Sequence, residues 1–185
     1  RLFIAIPIPH EGKEKILKMI EALQEFSFRW TKAENLHLTL KFIGNWPVSR
    51  LSNLMELLEN AGKDIPPFKI EFSHISAIPD WSRMRILSLE GKPAPPLTKL
   101  VENLENLLLS LGVEKEKREF RPHITLGRIS KKKPITDISR LREKAEKTFQ
   151  FLSFLVKNII LYESQLTPKG PIYTSLKKFP LDGSH

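Results

Sequence analysis

The chain contains no cysteine, which removes disulfides, Cys-ligated zinc, iron–sulfur clusters and thiol nucleophiles together. Any chemistry has to come from imidazoles, carboxylates, hydroxyls or Lys and Arg. No apolar run approaches the roughly 18 residues that a membrane span requires. The chain opens on the strand-like Leu2-Phe3-Ile4-Ala5-Ile6, with no charged stretch, apolar segment and cleavage site before it. The expectation is a cytoplasmic protein without membrane contact. No glycine-rich phosphate loop follows the first strand, and no low-complexity linker divides the chain.

The apolar fraction, 41% of 185 residues, is enough to bury a substantial core. Lys and Arg number 30 against 21 Asp and Glu, a formal net charge of +9. Such a surface gathers polyanions before any specific contact forms. Lysine-rich solvated helices would leave the same imbalance, so charge alone admits both readings.

Apolar periodicity and turn residues predict a strand over Leu2–Ile8 and a helix over Glu11–Phe26 with Ile16, Leu17, Ile20 and Leu23 on one stripe. An alternating strand over Leu36–Ile43 ends in the turn Gly44-Asn45-Trp46-Pro47. A helix then runs to about Ala61, and a strand covers Phe68–Ile78. The order recurs: a strand at Met84–Leu89, a helix at about Leu97–Leu111 after three prolines, a strand at His123–Ile129 and a charged helix near Ile138–Lys147. An apolar strand region over Phe149–Tyr162 and a final strand at Ile172–Phe179 complete the chain. Two rounds of strand, helix, strand, helix, strand predict an α+β fold of two pseudo-symmetric lobes with a shared central cleft. Alternating strand polarity favours antiparallel sheets. The expectation is a single two-lobed domain, 1–185, with approximate halves 1–80 and 81–185.

The middle strand of each half carries the same triplet. The segments are Leu36-His37-Leu38-Thr39-Leu40-Lys41-Phe42-Ile43-Gly44 and Pro122-His123-Ile124-Thr125-Leu126-Gly127-Arg128-Ile129, with the histidines 86 residues apart. Side chains alternate along a strand, so His37 and Thr39 share one face, as do His123 and Thr125, while the intervening Leu and Ile enter the core. Gly127 is expected next on the face of His123, leaving room for a ligand. With five His and eight Thr, composition alone yields about 0.2 His-x-Thr triplets. Two at matching places in a repeat therefore point to function rather than to polar positions on solvated edge strands.

His at alternate strand positions can ligate zinc, but a catalytic zinc takes about three protein ligands, and here the second position is Thr both times. His10, His74 and His185 are expected in a loop, on a strand face and at the C-terminal end. No metal and no cofactor are expected. Two imidazoles and two hydroxyls suit phosphoryl transfer. One neutral ring takes a proton from attacking water, one protonated ring gives a proton to the departing oxygen, and the threonines hold non-bridging oxygens.

The paired HLTL and HITL elements, the opening RLFIAIPI strand and the FIG and GRI continuations resemble the two-histidine (2H) phosphoesterase superfamily. Within it they resemble the RNA 2′,3′-cyclic phosphodiesterase group, historically called 2′-5′ RNA ligase. The likeness covers nearly the whole chain. It implies a bilobal fold, RNA with 2′,3′-cyclic phosphate ends as partner, and metal-independent hydrolysis to a 2′-phosphomonoester. It further implies that His37 is the proton donor to the departing 3′ oxygen, that His123 is the base activating water, and that Thr39 and Thr125 bind phosphate. The reverse step, 2′-5′ joining of ends such as tRNA halves, is implied as a secondary activity.

Phe42, as a base-stacking residue, and Arg128, as a phosphate partner, carry over with one difficulty. Each lies five residues after its histidine, an odd offset that puts it on the opposite face unless a bulge intervenes, and there Phe42 would serve equally well as a core aromatic. Basic residues also flank the second motif: Lys115, Lys117, Arg118 and Arg121 before it, and Lys131, Lys132 and Lys133 after it. They suit a solvated loop or a guide for an RNA backbone. Two further readings stay open: the same site acting on 2′-5′ oligonucleotides or small cyclic nucleotides, and a non-catalytic module that holds a nucleotide phosphate. A monomer is expected.

Overall fold

The computed structural model describes residues 1–183, so His185 lies outside the described residues. Strand β1 (Leu2–Pro7) leads into helix α1 (His10–Ala22), followed by the short β2 (Phe28–Trp30) and by β3 (His37–Gly44). Next come α2 (Leu51–Leu58), β4 (Phe68–Ile78), β5 (Ile86–Gly91), α3 (Pro95–Leu109) and β6 (His123–Ile129). The chain ends with α4 (Ile138–Thr148), β7 (Leu152–Val156), β8 (Asn158–Thr167) and β9 (Gly170–Pro180). All strand pairings are antiparallel, in the order β7-β4-β5-β6-β3-β1-β8-β9, with β2 alongside β6. This is the expected α+β class.

Local chemistry accounts for the helices. On α1 the buried stripe is Ile16, Met19 and Ile20 and continues to Leu23, while Leu17 stays outside it at 36% exposure. His10 opens this helix rather than sitting in a loop. Pro95 and Pro96 occupy the first positions of α3, where a missing N–H costs nothing, and Leu97, Leu100, Val101, Leu104 and Leu108 face inward. Asp137 caps α4, its carboxylate accepting from the Arg140 amide at 2.9 Å.

The chain exchanges strands about its midpoint. β4 pairs with β5 and β7, whereas β8 pairs with β1. Helix α3 packs on β3, while α1 packs on β7 and α4 on β4. The apolar region 149–162, expected as one strand, is divided at Lys157 between β7 and β8, which stand six places apart in the sheet order. At ~4.8 Å per strand a flat sheet would separate them by about 29 Å, yet the two residue steps from Val156 to Asn158 span only ~7 Å. The sheet therefore folds back on itself. Its apolar side chains, with those of the helices, form one core cluster.

One charged residue lies inside that core. Lys41 on β3 is 3% exposed. Its ammonium donates to Glu105 on α3 at 2.9 Å and to the Glu114 carbonyl at 2.7 Å, fastening α3 and the following segment to the back of β3. A buried charge that loses its partner is costly. Glu105→Ala is expected to destabilise by ~3 kcal/mol or more, and the double change Lys41→Met with Glu105→Leu by clearly less, as read by urea unfolding. A single variant no worse than the double would show that Lys41 left without its partner carries no penalty.

Candidate active site

β3 and β6 meet at one register position, Leu38 opposite Ile124. These residues are 86 apart, the offset that also separates the two histidines, so the pair sits where the two halves are related to each other. Antiparallel pairing then works diagonally. His37 lies on the side of Thr125, and His123 on the side of Thr39.

Both imidazoles are held in the same way. His37 Nδ1–H donates to the Asn35 carbonyl at 2.6 Å, and His123 Nδ1–H donates to the Arg121 carbonyl at 2.8 Å. A carbonyl only accepts, so each neutral ring keeps its proton on Nδ1 and its lone pair on Nε2. Nε2 of His37 lies 2.8 Å from Thr39 Oγ1. Asn35 is in turn tied to β9, its side-chain amide donating to the Pro171 carbonyl at 3.1 Å. Burial pushes the His37 imidazole below its ordinary pKa of about 6.5. The Asn35 bond opposes this, and the charges of His123 and Arg128 add to it. The two histidines and Arg128 thus share one electrostatic environment.

The odd offset of Phe42 and Arg128 is resolved by a matched pair of bulges. Ala5 pairs with Thr39 and Ile4 with Lys41, leaving Leu40 over. Ser88 pairs with Thr125 and Leu87 with Gly127, leaving Leu126 over. Each bulge follows its His-x-Thr triplet and reverses the facing of what comes after. Over seven residues the two strands show the same sequence of buried, half-buried and exposed positions. Phe42, 61% exposed, and Arg128 consequently share a face with the histidines.

The same phase change corrects the expectation for Gly127. It faces the core, where an added Cβ would lie 2.9 Å from Phe28 Cβ and 3.0 Å from Trp30 Cε3. Glycine is there to admit β2, not a ligand. Lys41, its counterpart 86 residues earlier, is the buried lysine already described.

The two walls beside the histidines differ chemically. On the first, Phe3 stands 5.0 Å from the His37 ring and 6.1 Å from Phe42, while Tyr173 meets His37 edge-on at 5.3 Å and Tyr162 stacks on Phe3 at 5.2 Å. A pocket of about 480 Å³ opens there, lined by Phe3, Phe42, Tyr173, Asn45, Ser164 and Leu166 among others. On the second, His123, Glu90 and His74 form one cross-strand row, and Thr125, Ser88 and Ser76 form the next. Arg121 bonds to Glu90 and to Ser76 Oγ at 3.3 Å, so it braces the segment whose carbonyl holds His123. Lys115 is likewise engaged, with Asn106 at 2.6 Å, while Lys131, Lys132 and Lys133 are exposed just beyond β6. Sequence reading missed Asn35, Phe3 and Tyr173. The only available signal was that the chain has two tyrosines, and both lie on this wall. Among the described residues no group of three or more His, Asp or Glu gathers as metal ligands would, and no helix is long and apolar enough to cross a membrane.

A profile of the 2′-5′ RNA ligase superfamily matches residues 11–167. The chain is 35% identical over 181 residues to an RNA 2′,3′-cyclic phosphodiesterase of Methanocaldococcus jannaschii, covering 97% of this chain and 99% of that protein. It is 33% identical over 181 residues to a protein of the same name from Archaeoglobus fulgidus, with the same coverage. Among solved structures, TT0787 of Thermus thermophilus superposes with a TM-score of 0.83 at 26% identity over 100% of both chains. E. coli LigT complexed with 3′-AMP superposes with a TM-score of 0.72 at 27% identity, covering 98% of this chain and 97% of that one.

The electrostatic coupling has a definite sign. The folded His37 pKa lies below the unfolded value, so between the two the unfolded chain binds more protons and stability falls as pH drops through that window. Arg128→Met removes a cation that disfavours protonation. NMR titration should show the His37 pKa moving up in this variant and the pH-dependent loss of stability shrinking. A downward or absent shift would place Arg128 away from the ring.

Proposed function

The chain belongs to the 2′-5′ RNA ligase superfamily, and we propose that it acts as an RNA 2′,3′-cyclic phosphodiesterase through acid-base catalysis by its two histidines. The observation that supports this reading best is the diagonal arrangement about Leu38 and Ile124. It brings two imidazoles, each oriented through Nδ1, and two threonines about one strand pair, which supports their sharing a phosphate.

In this reading His123 Nε2 takes a proton from water as the water oxygen attacks phosphorus. The bond from phosphorus to the 3′ oxygen breaks, and His37 Nε2–H delivers its proton to that oxygen. The products are a 2′-phosphomonoester and a free 3′ hydroxyl. Thr39, Thr125 and Arg128 hold the non-bridging oxygens, whose charge grows as water adds. Before substrate arrives, burial and the Arg128 cation favour neutral His37. The phosphodiester anion offsets that cation and lets the ring carry the proton it must donate. Phe42 and the pocket beside it take the terminal base by stacking. With a 5′ hydroxyl attacking phosphorus in place of water, and the 3′ oxygen again leaving with the proton from His37, the same groups form a 2′-5′ linkage, as in rejoining tRNA halves.

The test is hydrolysis of an RNA ending in a 2′,3′-cyclic phosphate, in EDTA, with the product phosphate position identified. Wild type should yield a 2′-phosphate, and His37→Ala and His123→Ala should each lose ~10²–10⁴-fold in kcat. Loss of wild-type turnover in the chelator would reject the metal-independent mechanism. Tight binding without turnover would favour a phosphate-holding module.

A further inference from the structure

A second cationic position sits beside the reaction centre. Arg29 on β2 is the direct cross-strand partner of Arg128 on β6, which in antiparallel strands places two side chains on one face with Cα atoms about 4.5–5.5 Å apart. Phe28 and Trp30, on either side of Arg29, pack on the opposite face over Gly127. Arg29 is therefore committed to the face of Arg128 and the histidines, and its backbone is anchored although its side chain is exposed.

Like charges directly opposed on neighbouring strands repel. Some exposed arginines of this chain pair with carboxylates: Arg83 with Asp80, Arg140 with Glu25, Arg142 with Glu146. Arg50, Arg85 and Arg118 have no such partner among the described residues, and none of these faces a second arginine across a strand pair. Neither Arg29 nor Arg128 has a carboxylate partner among the described residues. Two opposed guanidiniums without a counter-charge, beside a cleft, make a place for an anion. Arg128 is close enough to disfavour charge on His37 and to act on Tyr173, so it belongs to the reacting phosphate. Arg29, on the far side of Arg128 from β5, stands one step out from the chemistry.

We propose that Arg29 holds a second phosphate, the 5′ phosphate of the nucleotide whose 3′ end is cyclised, and that it makes the enzyme prefer RNA ends over isolated cyclic nucleosides. This rests on the cyclic-phosphodiesterase reading above. The phosphate that Arg29 binds takes no part in bond making or breaking. It anchors the substrate from the polar wall while the base is held on the aromatic wall opposite.

Three substrates separate the possibilities: a nucleoside 2′,3′-cyclic phosphate with a free 5′ hydroxyl, the same compound with a 5′ monophosphate, and an RNA oligomer with a cyclic end. Wild-type kcat/KM should be higher for the second and third than for the first, on the order of tenfold for one charge-assisted contact. Arg29→Gln should erase that advantage, chiefly through KM, and leave the first substrate within about twofold. Lys18→Gln, which removes the same charge from α1, should leave the preference intact. A wild type that does not distinguish the first two substrates overturns the proposal, as does an Arg29→Gln variant that loses the first substrate equally. Turnover of none of the three would instead reject the cyclic-phosphodiesterase reading itself.

Discussion

The pairing of Leu38 with Ile124 joins the two halves of the sheet, and it does so at one register position before β3 and β6 diverge. Both side chains are fully buried, each contributing roughly 1.5–3 kcal/mol of apolar burial. A longer ladder would have closed the gap between the two strands, and none would have left the histidines on separate walls. Divergence leaves backbone groups of both strands to be satisfied elsewhere. β2 takes those at the far end of β6, and the turn through Asn35 supplies the carbonyl that orients His37.

From that seam outward, the halves share a backbone device and differ in what surrounds it. The bulges at Leu40 and Leu126 put two consecutive residues toward the core and send Phe42 and Arg128 to the functional face. On the core side the extra residue needs a solution, and each half has its own. One buries Lys41 against Glu105, and the other uses glycine so that Phe28 and Trp30 can approach. The second solution is what brings Arg29 beside Arg128.

Chemical asymmetry on a near-symmetric scaffold suits a nucleotide, which has an aromatic end and an anionic end. Phe3, Phe42, Tyr162 and Tyr173 form one wall, and Arg128 with Arg29 lies on the other. In the proposed mechanism, identical His-x-Thr groups at the centre match the one part of the reaction that is itself near-symmetric, since an oxygen enters and an oxygen leaves on opposite sides of phosphorus.

The elements with strong local periodicity were readable from the chain alone, and β4 and β6 have the expected bounds. So were the two His-x-Thr triplets and their common face, because alternation along a strand is a local property. Whether Phe42 and Arg128 joined that face was not readable, since a bulge is set by the register of strands distant in sequence. The same holds for Gly127, which reads as open space for a ligand until Phe28 and Trp30 are seen against it. β2 is three residues long and carries no period. Asn35, Phe3 and Tyr173 come from three separate segments and have no common pattern in one dimension. The residue types and spacings along the chain thus determined which groups are candidates for the chemistry. Long-range strand pairing alone decided their positions, because it is the pairing that sets facing, proximity and charge coupling.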